Sequence, residues 1–154
     1  MNENELTLMK FYTALQQKNY TAMGECYHEN ATFHDEAFDL KTVKEVRGMW
    51  EMLCTRGKDI EVTFADVKAD ETTGSAHWEA FYTFSTTGNK VHNIIDSNFT
   101  FKDGLILNQV DHFSFYRWSR QSLGTTGLLL GWTGFLQKKV RKTAMGNLEA
   151  FMKR

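Results

Sequence analysis

The spacing of apolar residues in this chain changes period near residue 58, and that change constrains the fold more than any other feature. Before it, Leu6, Met9, Phe11 or Tyr12 and Leu15 recur at helical spacing, followed by Tyr20, Met23, Cys26 and Tyr27. Val43, Val46, Met49, Trp50 and Leu53 then form a third stripe. After the change, Ile60, Val62 and Phe64 alternate with polar residues, as do Trp78, Ala80, Tyr82 and Phe84, and Leu107, Gln109, Asp111, Phe113 and Phe115. Helices first and a strand meander second describe an α+β fold, with helices packed on one face of an antiparallel sheet. The spacing predicts helices near 4–17, 20–28 and 41–55, a short strand at 31–34, and turns at 70–74, 86–89 and 102–104. Gly57 is expected to close the third helix in a left-handed cap.

A chain of 154 residues is long enough for one domain that buries roughly 70% of its unfolded surface. Residues 1–118 are assigned to that domain and 119–154 to a helical extension packed on it. Aromatic content is 14% and proline is absent, which suits strands and pocket walls. The net charge of −1 gives no pull toward nucleic acid, although residues 117–154 hold eight Lys and Arg against one acid. Cys26 and Cys54 are read as reduced packing thiols. The opening MNENELTLMK has no signal-peptide pattern. No apolar run reaches the roughly 20 residues of a membrane span, so a cytoplasmic protein is expected. A last helix is predicted near 136–152, carrying Lys138, Lys139, Arg141 and Lys142. It is expected to cover the sheet or a pocket mouth, the alternative being contact of this basic tail with anionic lipid.

The candidate chemistry lies on the hairpin around Asp103-Gly104. If those two residues form the turn, Lys102 faces Leu105, and counting outward sets Asp96 opposite Asp111 on one sheet face. Facing like charges destabilise a sheet, so the pair is expected to line a cavity and to share one proton near neutral pH. One carboxylate could then abstract a proton while its protonated partner stabilises charge on a carbonyl oxygen. His92 would share this face. Trp78, Tyr82, Gln109 and Phe113 would line the pocket under Trp50, around a small apolar ligand. The plainer alternative is that both aspartates only order the cavity through hydrogen bonds. Asp111 and His112 are sequential on a strand and point to opposite faces, so no metal site is expected. No phosphate loop or cofactor is expected either. Glu79, Phe81, Asn93, Ile95, Phe99, Val110 and His112 would form a half-apolar outer face suited to a homodimer.

The segments YHENATFHDEAF and NIIDSNFTF-KDG-LILNQVDHF resemble the nuclear transport factor two-like superfamily, its SnoaL-like and ketosteroid isomerase branches above all, over residues 6–117. The resemblance implies a cone-like curved sheet with the N-terminal helices on its concave face. It also implies a superfamily that hosts isomerases, cyclases, hydrolases and non-enzymes. By that resemblance Asp35 matches the isomerase general base, and Asp96 matches the protonated acid that donates to the oxyanion. Asp111 matches the catalytic aspartate of SnoaL-type cyclases. The isomerase's oxyanion tyrosine falls on Phe11, with Tyr12 one residue away on another face, which argues against steroid isomerisation. The tail RWSRQSLGTTGLLLGWTGFLQKKVRK is similar to one on bacterial SnoaL-like proteins. Together these imply proton transfer without a cofactor (isomerisation, cyclisation or epoxide hydrolysis) or a non-catalytic binding domain on the same fold.

Overall fold

The computed structural model describes residues 1–154. Helix α1 (Glu3–Gln16) starts at Asn2, whose side chain accepts the Glu5 N–H at 2.8 Å, and α2 (Tyr20–Glu25) follows a three-residue break. Strand β1 (Tyr27–His34) and the two-residue β2 (Asp39–Leu40) precede α3 (Val43–Arg56). Thr42 and Glu45 form a reciprocal capping box at the start of α3. Then come β3 (Glu61–Ala69), β4 (Thr73–Thr83), β5 (Lys90–Lys102) and β6 (Leu105–Phe113). The chain ends in α4 (Phe115–Leu123), α5 (Thr125–Leu130) and α6 (Gly134–Met152).

The six strands form one open sheet in the order β2-β1-β6-β5-β4-β3. Its long arm is the expected antiparallel meander, but β1 joins β6 in parallel. Tyr27 therefore opens a strand rather than closing the second helix. The helices fill the inner face. Phe11 stands edge-on to Tyr27 and to Trp50, each at 5.6 Å between ring centroids, and Tyr12 stacks on Phe64 at 5.3 Å. In α3, Val46, Met49 and Trp50 are buried as expected, while Leu53 is exposed. Gly57 has φ −82°, so the left-handed cap is not formed. Cys26 and Cys54 are free and buried, and burial pushes both thiols up to about 11.

The Asp103-Gly104 turn forms as expected, with φ of 56° and 76° and Lys102 paired to Leu105. The register then slips: Phe101 pairs with Ile106, but Thr100 pairs with Asn108. Leu107 is the extra residue of a β-bulge. Beyond it Ser97 faces Asp111, and Asp96 faces His112. Every β5 side chain past the bulge is thereby on the face opposite to the one that in-phase counting gives it. The apolar phase of β5 explains the choice: Val91, Ile95, Phe99 and Phe101 are all buried, whereas His92, Ile94, Asp96 and Asn98 are not. The turn itself tolerates little. A Cβ on Gly104 would be left-handed and would meet the Glu3 carboxylate. Gly104→Ala is expected to cost about 1 kcal/mol in urea denaturation, with no change in the buried site described next.

Candidate functional site

Inside the cone, polar side chains form a hydrogen-bonded chain that converges from two directions on one carboxylate oxygen. From β1 and α3, Trp50 Nε1 donates to the Tyr27 hydroxyl at 2.8 Å, and Tyr27 donates to Gln109 Oε1 at 2.5 Å. Gln109 Nε2 then donates to Asp111 Oδ1 at 3.0 Å. From β4, Trp78 Nε1 donates to Ser97 Oγ at 3.1 Å, and Ser97 donates to the same Oδ1 at 2.6 Å. Both chains begin at an indole, which can only donate. With Asp111 ionised and only able to accept, the donors run toward Oδ1 and the Gln109 amide is oriented to match. Asp111 Oδ1 is thus a double acceptor. Asp111 Oδ2 and the Tyr12 hydroxyl are buried with no partner.

Burial dominates the electrostatics. It raises Asp111 to about 6, against the lowering effect of Ser97, Gln109 and Trp78 and with a further push from the Glu36 charge. Asp35 lies in the β1–β2 turn, where its Oδ1 accepts the N–H groups of Ala37 at 2.7 Å and Phe38 at 2.6 Å. Its carboxyl is desolvated and, despite those two donors, is raised to about 7, with the Asp111 charge contributing. Tyr12 is pushed well above the usual phenol range by burial first and by Asp111 second, with the Ser97 hydroxyl close enough to oppose them. Burial also lifts Tyr82 to about 12, opposed by the Trp118 indole and helped by Asp35. Asp35, Asp111, Tyr12 and Tyr82 therefore act on one another through a shared low-dielectric interior.

The C-terminal helices close this interior. Trp118 of α4 donates to the Tyr82 hydroxyl at 2.8 Å, and Arg141 of α6 donates to the Asp35 carbonyl at 2.7 Å. Leu136, Leu148 and Phe151 are the buried face of α6, which packs on α3 rather than on the sheet.

Of the expected site residues, Asp111, Trp78, Gln109, Phe113 and Trp50 are buried together on the inner side, and Asp35 and Tyr82 border them. Two are not there. Asp96 lies on the outer face with 72% of its side chain exposed, and its Oδ1 is 2.9 Å from His77 Nδ1. His92 is also outside, 2.6 Å from Glu79 through Nε2, with its ring stacked on Phe81 at 4.2 Å. The bulge at Leu107 is the cause, so the expected Asp96–Asp111 pair does not form. The outer face loses Asn93, Ile95 and Phe99 to the interior and gains Asp96 and His92, which stand beside His77 and Glu79 in one row. Asp96 and Glu79 raise the His77 pKa in return.

Ser97, Tyr27 and Tyr12 join the site although sequence reasoning did not place them there. Ser97 follows from the apolar phase of β5, a signal present in the residues themselves. Tyr12 faces inward with Phe11, its ring against Phe64 and Phe99 of the sheet. Tyr27 had no local signal.

The expected open pocket is largely filled, since Asp111 is 2% exposed. Two surface recesses lie elsewhere. One of about 670 Å³ is bordered by Lys68, Thr73, Asn98 and Val110, and one of about 470 Å³ by Asp59, Phe81, Tyr82, His92 and Gln121.

The cone has many solved counterparts. It resembles a SnoaL-like polyketide cyclase from Jannaschia sp. CCS1, described as putative, at TM-score 0.69 and 10% identity, over 79% of this chain and 92% of that one. A ketosteroid isomerase-like protein from Catenulispora acidiphila, solved with trimethylamine, gives TM-score 0.65 and 13% identity, over 75% and 91%. An M. tuberculosis epoxide hydrolase of the LEH-like type gives 0.62 and 16%, over 87% and 95%. At these identities the likeness is one of fold. No curated protein matches the chain. In sequence, residues 8–109 match the SnoaL-like domain, from the middle of α1 to Gln109 beside the buried carboxylate. That match takes in most of the chain and most of the cone, and the protein belongs to the SnoaL-like family.

Proposed function

We propose that the interior carboxyls carry out acid–base chemistry, without a cofactor, on a small, largely apolar carbonyl compound. The observation that supports it is the asymmetry of Asp111. Oδ1 accepts from Ser97 and Gln109, while Oδ2 is buried without a partner, as is the Tyr12 hydroxyl. An ionised Oδ2 is a base with no competing hydrogen bond. An unpartnered phenol is a donor for an oxygen on which negative charge develops. Burial raises both Asp35 and Asp111 toward neutral pH, so one carboxyl can hold a proton while Asp111 acts as the base. Epoxide hydrolysis and polyketide cyclisation, named for two proteins of the same fold, are reactions that a positioned base and acid can promote.

The test is deuterium uptake. A panel of enolisable cyclic ketones in D₂O, followed by NMR, is expected to exchange α-protons faster with the protein than with buffer. The rate should be greatest near neutral pH and fall in acid, because Asp111 must be ionised to act as the base. Exchange that Asp111→Asn leaves intact would end the proposal.

One observation favours a second function, a non-catalytic binding or interaction domain. Asp111 is enclosed, and both recesses open on the outer surface. If native mass spectrometry finds a bound small molecule and no panel member exchanges, binding is the better account. A twofold partner on the outer face also stays a proposal, supported by exposed Phe81 and Val110.

A further inference from the structure

The tail holds a block of large apolar side chains in solvent. Leu128, Leu129 and Leu130 are 50%, 62% and 43% exposed, and Trp132 and Phe135 are 76% and 74% exposed. A contiguous block of this kind marks an interaction surface. Its orientation follows from two glycines. A Cβ on Gly127 would meet the Ser119 carbonyl oxygen at 1.9 Å, and one on Gly131 would meet Ser119 Oγ at 2.2 Å. The glycine side of α5 is pressed on α4, which sends the three leucines outward. The backbone at this tip is satisfied within the tip. Gly131 N–H bonds to Gly127 at 2.8 Å, Thr133 N–H to Leu130 at 2.9 Å, and the Trp132 indole donates to Leu129 at 3.0 Å. The tip therefore offers carbon with few unpaired polar groups, as an apolar medium requires.

Charge identifies what covers it. Phe135, Lys138, Lys139 and Lys142 fall at i, i+3, i+4 and i+7 of α6, one exposed stripe running back from the apolar tip. No carboxylate occurs between Asp111 and Glu149. The lysines of this stripe are absent from the ion pairs made by Lys10, Lys41 and Lys153. A second copy seated on the leucines would bring two such basic stripes together. An anionic surface would neutralise them.

We propose that the tip seats on anionic lipid, with Leu129, Trp132 and Phe135 entering the headgroup region and Lys138, Lys139 and Lys142 meeting lipid phosphates. No helix is long and apolar enough to cross a membrane, so the protein would lie on the surface. The proposal is independent of the chemistry at Asp111.

The experiment is co-sedimentation of the intact chain with vesicles of phosphatidylcholine alone or with one third phosphatidylglycerol, at 50 and 500 mM salt. Binding is expected only to the anionic vesicles and is expected to fall at least about tenfold at high salt. Trp132 is the most exposed tryptophan, so its emission should shift to the blue on binding, a shift that Trp132→Phe removes. Two surface variants separate the contributions: Leu129→Ala/Trp132→Ala/Phe135→Ala and Lys138→Glu/Lys139→Glu/Lys142→Glu should each lose at least about tenfold in partitioning at unchanged circular dichroism. No binding at 50 mM salt overturns the proposal, as does binding that the apolar variant retains. It is also overturned if the intact chain is an oligomer in solution that Leu129→Glu/Trp132→Glu converts to a monomer, for then a second copy covers the tip.

Discussion

Asp111→Asn is expected to abolish proton exchange and to make the protein more stable, two effects that a residue serving only to hold the fold would not combine. The loss of exchange should be at least about 100-fold, the usual range for removing a positioned base. The stability change follows from linkage. Burial holds the folded pKa of Asp111 at about 6, above the ordinary carboxylate value. Between those values the folded state binds more protons than the unfolded one, so stability falls as pH rises through that window. The full penalty is present above pH 7 and corresponds to about 3 kcal/mol. Asparagine keeps the acceptor for Ser97 and Gln109 and removes the buried charge. It also leaves an amide N–H₂ where Oδ2 has no partner, which takes back about 1 kcal/mol. The net gain at pH 8 is expected to be about 2 kcal/mol, or about 4–8 °C in Tm, crossing zero between about pH 4 and 5 and turning to a loss of up to about 1 kcal/mol below that. Thermal melts across that pH range check it. A Tm that falls at pH 8 would mean that the ionised carboxylate stabilises the fold.

Ser97→Asp should have the opposite and larger effect. Ser97 is 1% exposed and lies directly across from Asp111, to which it donates. A carboxylate there recreates the buried like-charge pair and removes a donor. A loss of about 3–5 kcal/mol at pH 8 is expected, partly recovered near pH 5 as one of the two carboxyls binds a proton. Asp96→Asn is the matched control. It loses only an exposed contact with His77, and should change stability by less than about 1 kcal/mol. If the strands ran in phase, Ser97→Asp would be nearly neutral and Asp96→Asn would stabilise by relieving a buried like-charge pair, so urea denaturation of the two variants tests the bulge directly.

That bulge marks where local pattern stops being informative. Period-two alternation on β4 and β6 is enough to turn Trp78, Tyr82, Gln109 and Asp111 inward, because each strand carries its own apolar phase. The turn at Asp103-Gly104 is equally legible from its residue types. Leu107 is not, since it sits among Leu105 and Ile106 and nothing in its chemistry says it is the unpaired one. Only the competition between faces decides it, and Ile95, Phe99 and Phe101 win the core over His92 and Asp96. Tyr27 was hidden differently. It continues a helical spacing from Tyr20, Met23 and Cys26, and becomes a strand residue through its pairing with Ile106 of β6, a contact that local propensity does not carry. The glycine-rich stretch around α4 and α5 gave no apolar period because its helices touch through glycines.

The two indoles at the ends of the hydrogen-bonded chain have a kinetic consequence. Indole nitrogen has no lone pair to receive a proton, so neither end can pass one on, and the chain is an insulator rather than a wire. Its protons cannot hop outward through Tyr27 or Ser97 to solvent. A proton joining or leaving Asp111 has one exit, the unpartnered Oδ2, and it travels with whatever molecule or movement reaches that atom.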